Sequence, residues 1–250
     1  MSMKASILIP TCNFEKFKSC IKSIMRNTDL EKKDLEIIVS MNGCGIEAID
    51  YVKTLGSRVR FVWFDKRMGA VTAVNLAAKV SDSELFIRID DDVTILDWGG
   101  DTWVDYLIQP FFEEENVGQT GPVSEDSWGG YRALLSFVNC TSRRVWEELN
   151  GLDEAFNPGL GEDLDFSIRV QKAGYKIIQS PKASEWLEDQ GIYRSAFPVM
   201  HMSHGEYQYN GIPFEVFRKK NFTLLWQRYG EPTNQFIRNK FMPYVDKNFT

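Results

Sequence analysis

Cysteine is scarce and scattered in this chain. Cys12, Cys20, Cys44 and Cys140 stand far apart with no C-x-x-C pair, which excludes a zinc-finger spacing and a disulfide framework and predicts a reducing, cytoplasmic setting. Histidine is rarer still, with only His201 and His204 in the segment PVMHMSHG. Positive charge is in deficit: the formal net charge is -6, so a general electrostatic hold on nucleic acid or anionic lipid is not expected. The apolar part of the N-terminal MSMKASILIPTCN is far too short to span a bilayer and runs into strand-like sequence without a cleavage-site pattern, so no secretion signal is expected. Asn139, Asn221 and Asn248 each open an N-x-Thr triplet, but such triplets carry no meaning in a chain that stays out of the secretory pathway. Internal repeats and low-complexity linkers are missing too. The expectation is one domain with a C-terminal helical extension.

What is present is a regular alternation. Apolar runs at Ala5 to Pro10, Leu35 to Ser40, Arg58 to Phe64 and Glu84 to Ile89 read as strands, with amphipathic helical stretches at Phe14 to Arg26 and Ala70 to Val80. Strands alternating with helices predict a mostly parallel sheet covered on both faces. Ligands of such sheets gather beyond the carboxyl ends of the strands, which directs attention to the loops Thr11-Cys12-Asn13, Met41-Asn42-Gly43, Asp65-Lys66-Arg67 and Asp90 to Asp92. Further on, Ser136 to Thr141 and Tyr175 to Gln179 read as strands, and Arg143 to Leu149, Phe214 to Tyr229 and Asn234 to Phe241 as helices. Phe111 to Gly121 leads into Trp128-Gly129-Gly130-Tyr131, which reads as a mobile loop whose aromatic rings either stack on a ligand or pack the loop.

Three consecutive carboxylates end the fourth predicted strand. Neighbouring carboxylates about 6 Å apart repel by roughly 0.7 kcal/mol in water and by more near a protein interior, so a cation is expected at Asp90, Asp91 and Asp92. A divalent metal there, held by few protein oxygens, would complete its sphere with phosphate oxygens of a ligand. A second acidic group follows about 70 residues later in Gly161-Glu162-Asp163-Leu164-Asp165. The alternation of Leu164, Phe166, Ile168 and Val170 suits a strand, whereas Phe166, Val170 and Ala173 suit one helical face; the glycines before Glu162 and Gly174 at the far end favour a helix. Glu162 and Asp163 then lie in its first turn, where the helix dipole favours ionised carboxylates.

With ILIPTCN, AVNLAAKVSD, RIDDDV and NGLDEAFNPGLGEDLDFSIRVQKAGYKI in place, the chain resembles the GT-A fold glycosyltransferases, and among them family 2, the inverting enzymes that use nucleotide-diphosphate sugars. The resemblance runs from Ser6 to about Gly205. It implies a Rossmann-like α/β catalytic domain over residues 1–210, with a nucleotide-sugar half at about 1–100 and an acceptor half at about 101–210, followed by the extension 211–250. It implies that Asp90 and Asp92 form the D-x-D motif, binding ribose and a Mn²⁺ or Mg²⁺ ion, with Asp91 in the variable place. It further implies that Asp163 is the general base, that Glu162 shares that role or holds the acceptor, and that Asp165 caps or orients its neighbours. Relatives complete the metal site with a histidine after the last core strand; His201 is the first choice and His204 the alternative. Where relatives carry a base-reading aspartate this chain has Met41, followed by Asn42, whose amide oxygen is the replacement candidate. Thr11, Asn13 and Arg67 complete the nucleotide-site candidates. The expected donor is a UDP-sugar and the acceptor a saccharide or glycoconjugate. Two other classes share the expected fold: a non-catalytic nucleotide-sugar-binding or scaffolding protein, and a sugar-phosphate nucleotidyltransferase, whose glycine-rich basic phosphate loop PTCNFEKF does not provide.

Overall fold

The computed structural model describes residues 4–182, 184–187, 192–202 and 208–248. The predicted alternation opens the chain: β1 (Ala5–Thr11), α1 (Phe14–Asn27), β2 (Leu35–Asn42), α2 (Ile46–Lys53), β3 (Val59–Phe64), α3 (Ala70–Val80) and β4 (Leu85–Ile89). Then come β5 (Val93–Ile95), α4 (Thr102–Ile108), α5 (Pro110–Glu113), β6 (Val117–Gly121), β7 (Ser124–Asp126), β8 (Arg132–Leu134), β9 (Val138–Ser142) and α6 (Arg143–Glu148). The remainder holds α7 (Glu162–Lys172), β10 (Lys176–Gln179), β11 (Ser184–Leu187), β12 (Ile192–Ser195), β13 (Val199–Met202), α8 (Phe214–Tyr229) and α9 (Gln235–Phe241).

Seven strands form the central sheet in the order β10-β6-β9-β4-β1-β2-β3. It is parallel except at β9, which runs against both β4 and β6. Every residue of β1, β2 and β4 is buried, because helices cover both faces. Ile7, Ile9, Ile37, Val39, Ile87 and Ile89 face a core built with α1, α2 and α4. Their alternates Leu8, Ile38 and Phe86 face a second core with α3, α7 and α8. Apolar residues on both faces explain why these strands appear in the sequence as unbroken apolar runs rather than alternating patterns.

The helix expected at Glu162 is present. It is buried almost all round because β6, β8 and β10 pack against it and Arg228 and Tyr229 of α8 reach Asp165, and Gly174 closes it at φ +88°. The C-terminal helices share the second core through Phe222, Leu225 and Ile237.

The segment around Trp128 differs from the mobile loop expected. Strands β7 and β8 pair as an antiparallel hairpin, and the Trp128 ring is fully buried against Phe222 and Phe241. The glycines serve a tight turn closed by Ser127 N–H to Tyr131 O at 2.7 Å, and Trp128 has no surface on which a sugar could stack. Val117–Gly121, to which the sequence assigned no element, is a buried strand.

Candidate active site

Parallel strands deliver their loops to one edge. The ends of β1, β2 and β4 bring Thr11, Asn42 and Asp90 to a cleft of about 970 Å³. Since β9 is antiparallel, its beginning lies at the same edge, and the Asp90 N–H donates to Phe137 O at 3.0 Å. The first turn of α7 supplies Glu162 and Asp163 from the opposite side.

The aspartate triplet is divided by its contacts. Asp91 accepts a 2.7 Å hydrogen bond from the Thr11 hydroxyl. Asp92 lies 3.0 Å from Nε2 of His201, because β13 pairs with β5 and sets His201 opposite Val93. The His201 ring stacks on Phe137 at a centroid distance of 4.6 Å. One ligand atom each from Asp90, Asp92 and His201 lies within 4.8 Å of the others. Donor atoms in one octahedral sphere with bonds near 2.1 Å sit about 3 Å apart, so two carboxylates and an imidazole at this spacing suit a divalent cation. His204 lies outside the described residues.

Burial and mutual repulsion leave their mark on these carboxyls. Burial raises Asp90 above its ordinary value, although the Arg88 guanidinium opposes the rise. Asp91 is pushed up to about 7, chiefly by burial, with the Thr11 hydrogen bond opposing.

Arg88, inside β4, is a functional neighbour that the motifs did not reveal. It donates from Nε to Asp90 Oδ1 at 3.2 Å and from Nη2 to Glu162 Oε1 at 3.0 Å, joining the two acidic motifs. A charged residue within the apolar run LFIRI was its signal, since arginine is almost never fully buried without a partner.

Asp163 is held by two backbone donors, Leu164 N–H at 2.9 Å and Ser136 N–H at 3.4 Å. Burial, and then the Glu162 carboxylate beside it, push it up to about 7 despite Arg88. A carboxylate tuned to that range accepts protons efficiently near neutral pH. Asp165 does orient neighbours: it is fully buried and accepts from Arg169, Arg228 and Tyr229 at 2.7–2.8 Å, fixing α7 to α8.

The nucleotide-site candidates Thr11, Asn13, Asn42 and Arg67 all line the cleft. Both asparagines already have local work. The Asn13 side-chain oxygen caps α1, accepting from Glu15 and Lys16 N–H, both at 3.1 Å. The Asn42 oxygen accepts the Met68 N–H at 2.5 Å, so one of its two lone pairs holds the loop after β3. Phe214 and Phe217 of α8 and Phe236 and Lys240 of α9 also line the cleft, which the reading of 211–250 as an extension did not foresee.

A family model described as Glycosyl transferase family 2 matches residues 6–161, more than half of the chain. The chain belongs to that family. Its fold is similar to that of mannosyltransferase PcManGT from Pyrobaculum calidifontis, solved in complex with GDP-Man and Mn²⁺, at a TM-score of 0.62 and 14% identity, covering 91% of this chain and 63% of that one. It is also similar to GalNAc-T7 solved with UDP, GalNAc and Mn²⁺, at a TM-score of 0.61 and 13% identity, covering 71% of this chain and 42% of that one. The family-2 chain thus spans less than two thirds of either protein, and the likeness is one of GT-A fold. No curated protein sequence matches it. No helix among the described residues is long and apolar enough to cross a membrane.

Proposed function

We propose that the chain is a metal-dependent inverting glycosyltransferase that moves a sugar from a nucleotide-diphosphate sugar, with UDP as the nucleotide, to a hydroxyl of a saccharide or glycoconjugate. The observation that carries this reading is that the half-buried carboxyl of Asp163, pushed up to about 7, lines the same cleft as Asp90, Asp92 and His201. In the proposed step the acceptor oxygen bonds to the anomeric carbon from the face opposite the diphosphate. The bond from that carbon to the phosphate oxygen breaks, and the acceptor proton passes to Asp163. Glu162 hydrogen-bonds the acceptor. Asp90, Asp92 and His201 would hold the ion, and their mixed oxygen and nitrogen set favours Mn²⁺ over Mg²⁺, which prefers oxygen ligands. When bound, the ion would neutralise charge on the departing diphosphate. Thr11, Asn13, Asn42, Arg67 and Asp91 complete the nucleotide side. Residues at about 1–100 serve the donor and those at about 101–210 the acceptor, with 211–250 adding a wall of Phe214, Phe217 and Phe236.

The reading is tested by release of nucleoside diphosphate from UDP-glucose, UDP-galactose, UDP-N-acetylgalactosamine and GDP-mannose with Mn²⁺, since slow transfer to water requires no acceptor. Asp163→Asn is expected to cut turnover by about 10²–10⁴ while UDP and Mn²⁺ still bind. Retained turnover would remove Asp163 from the base role. If the UDP-sugars fail and GDP-mannose is cleaved, the nucleobase assignment is overturned.

A further inference from the structure

Asn221 opens one of the three N-x-Thr triplets, yet its side chain is fully buried, so glycosylation of the folded chain does not explain it. The two N–H groups of its side-chain amide serve three backbone carbonyls, Phe156 O at 2.8 Å, Gly159 O at 2.8 Å and Leu160 O at 2.9 Å, so one N–H is shared. Carbonyl oxygens turned toward one point repel one another, and a central donor makes that arrangement tenable. The amide oxygen of Asn221 has no hydrogen-bond partner among the described residues, so it is through its nitrogen that the side chain holds this turn.

The turn gathered in this way leads directly into the second acidic motif. Gly159, Leu160 and Gly161 hold φ at +147°, +81° and +90°, and Glu162 follows as the first residue of α7. A leucine at φ +81° lies in a region that residues with a β-carbon rarely adopt, and it persists only where its surroundings enforce it. Lys220, the neighbour of Asn221 on α8, adds a 3.0 Å bond to Asn157 O. Leu225 on the same helix lies where a β-carbon on Gly161 would approach to 3.0 Å. One face of α8, beyond the residues that match the family, therefore shapes the backbone from which Glu162 and Asp163 project.

We propose that Asn221 is a positioning residue for proton transfer, fixing the turn at Phe156 to Leu160 so that Asp163 meets the attacking hydroxyl. This rests on the reading of Asp163 as the base. A residue that only stabilised the core would affect folding and donor binding along with turnover. A positioning residue affects turnover while the donor site stays intact.

The test measures Mn²⁺-dependent hydrolysis of whichever nucleotide sugar is cleaved fastest in the panel above. Asn221→Ala is expected to lower kcat at least tenfold with KM for that donor and calorimetric UDP affinity within twofold of wild type. Adding Leu160→Gly, which accepts φ +81° without help, should restore kcat at least threefold. Where Asn221→Ala does not fold, Asn221→Ser keeps one donor, a bond nearer the backbone, and the same comparison decides. Unchanged kcat, or losses of kcat and UDP affinity in parallel, would overturn the proposal. Asp163→Asn is assayed alongside. If it retains turnover, the base reading fails and the positioning role falls with it; if it is inactive while Asn221→Ala is fully active, only the positioning role fails.

Discussion

Nη2 of Arg88 lies 3.0 Å from Oε1 of Glu162, and both side chains are buried, at 7% and 4% exposure. The strand ending in the aspartate triplet is thereby tied to the helix carrying Asp163. Removing one partner of a buried ion pair leaves the other uncompensated, at a cost of about 3–5 kcal/mol. Arg88→Ala is expected to lose that much stability in urea unfolding. Arg88→Ala with Glu162→Gln should lose less than the sum of the two single changes, and strict additivity would mean that the pair contributes nothing.

Asp163 fixes the pH response. Its folded value of about 7 means that the base is protonated below that pH. The rate kcat/KM is expected to rise up to tenfold per pH unit on the acidic side and to level off above about 7, a limb that Asp163→Asn should lose.

Stability should move the opposite way. An unfolded aspartate titrates near 3.9, so between about 4 and 7 the folded chain binds a proton that the unfolded chain has released, and stability falls as pH rises through that window. Asp163→Asn, which cannot ionise, is therefore expected to unfold at a higher temperature than wild type at pH 8. The two should converge at pH 4. Equal melting temperatures at pH 8 would indicate that the carboxyl is better solvated than its burial implies.

Metal affinity should follow the three-residue cluster. His201→Ala and Asp92→Ala are each expected to weaken Mn²⁺ binding at least tenfold by calorimetry, since altering even the partners of metal ligands costs about 10–100-fold. Asn42→Ala should leave Mn²⁺ affinity unchanged because its oxygen holds the Met68 N–H. Chelation with EDTA should stop hydrolysis.

Trp128 separates packing from recognition. With its ring fully buried, Trp128→Ala is expected to cost about 3–5 kcal/mol of stability. A stable variant impaired only in its response to acceptor would return the residue to the cleft.

Much of the first half of the fold was legible because strands buried on both faces leave continuous apolar runs that a loop does not imitate. Both acidic motifs were visible for the same reason, each standing where an apolar segment stops or a helix starts. What escaped notice depends on partners distant in sequence. Val117–Gly121 contains two glycines and one large apolar residue, and it is a strand because β9 and β10 pair with it. A β-carbon on Gly118 would lie 2.7 Å from Val170, so glycine there is needed for close packing. Arg88 appeared only as an interruption of a strand, since its two partners lie 2 and 74 positions away. Asn13 and Asn42 were recognisable as polar residues at strand ends, but the sequence did not reveal that backbone N–H groups would occupy their oxygens.

The pairing of β13 with β5 has a kinetic consequence. It places the imidazole of His201 against Asp92 before any ligand arrives, while Asp90, Asp91 and Asp92 present an anionic floor to a diphosphate that is itself anionic. Encounter is then favoured for the free cation, or for a cation already bound to nucleotide, and opposed for nucleotide alone. Initial rates should accordingly show no addition of sugar nucleotide ahead of Mn²⁺, the nucleotide arriving after the ion or together with it.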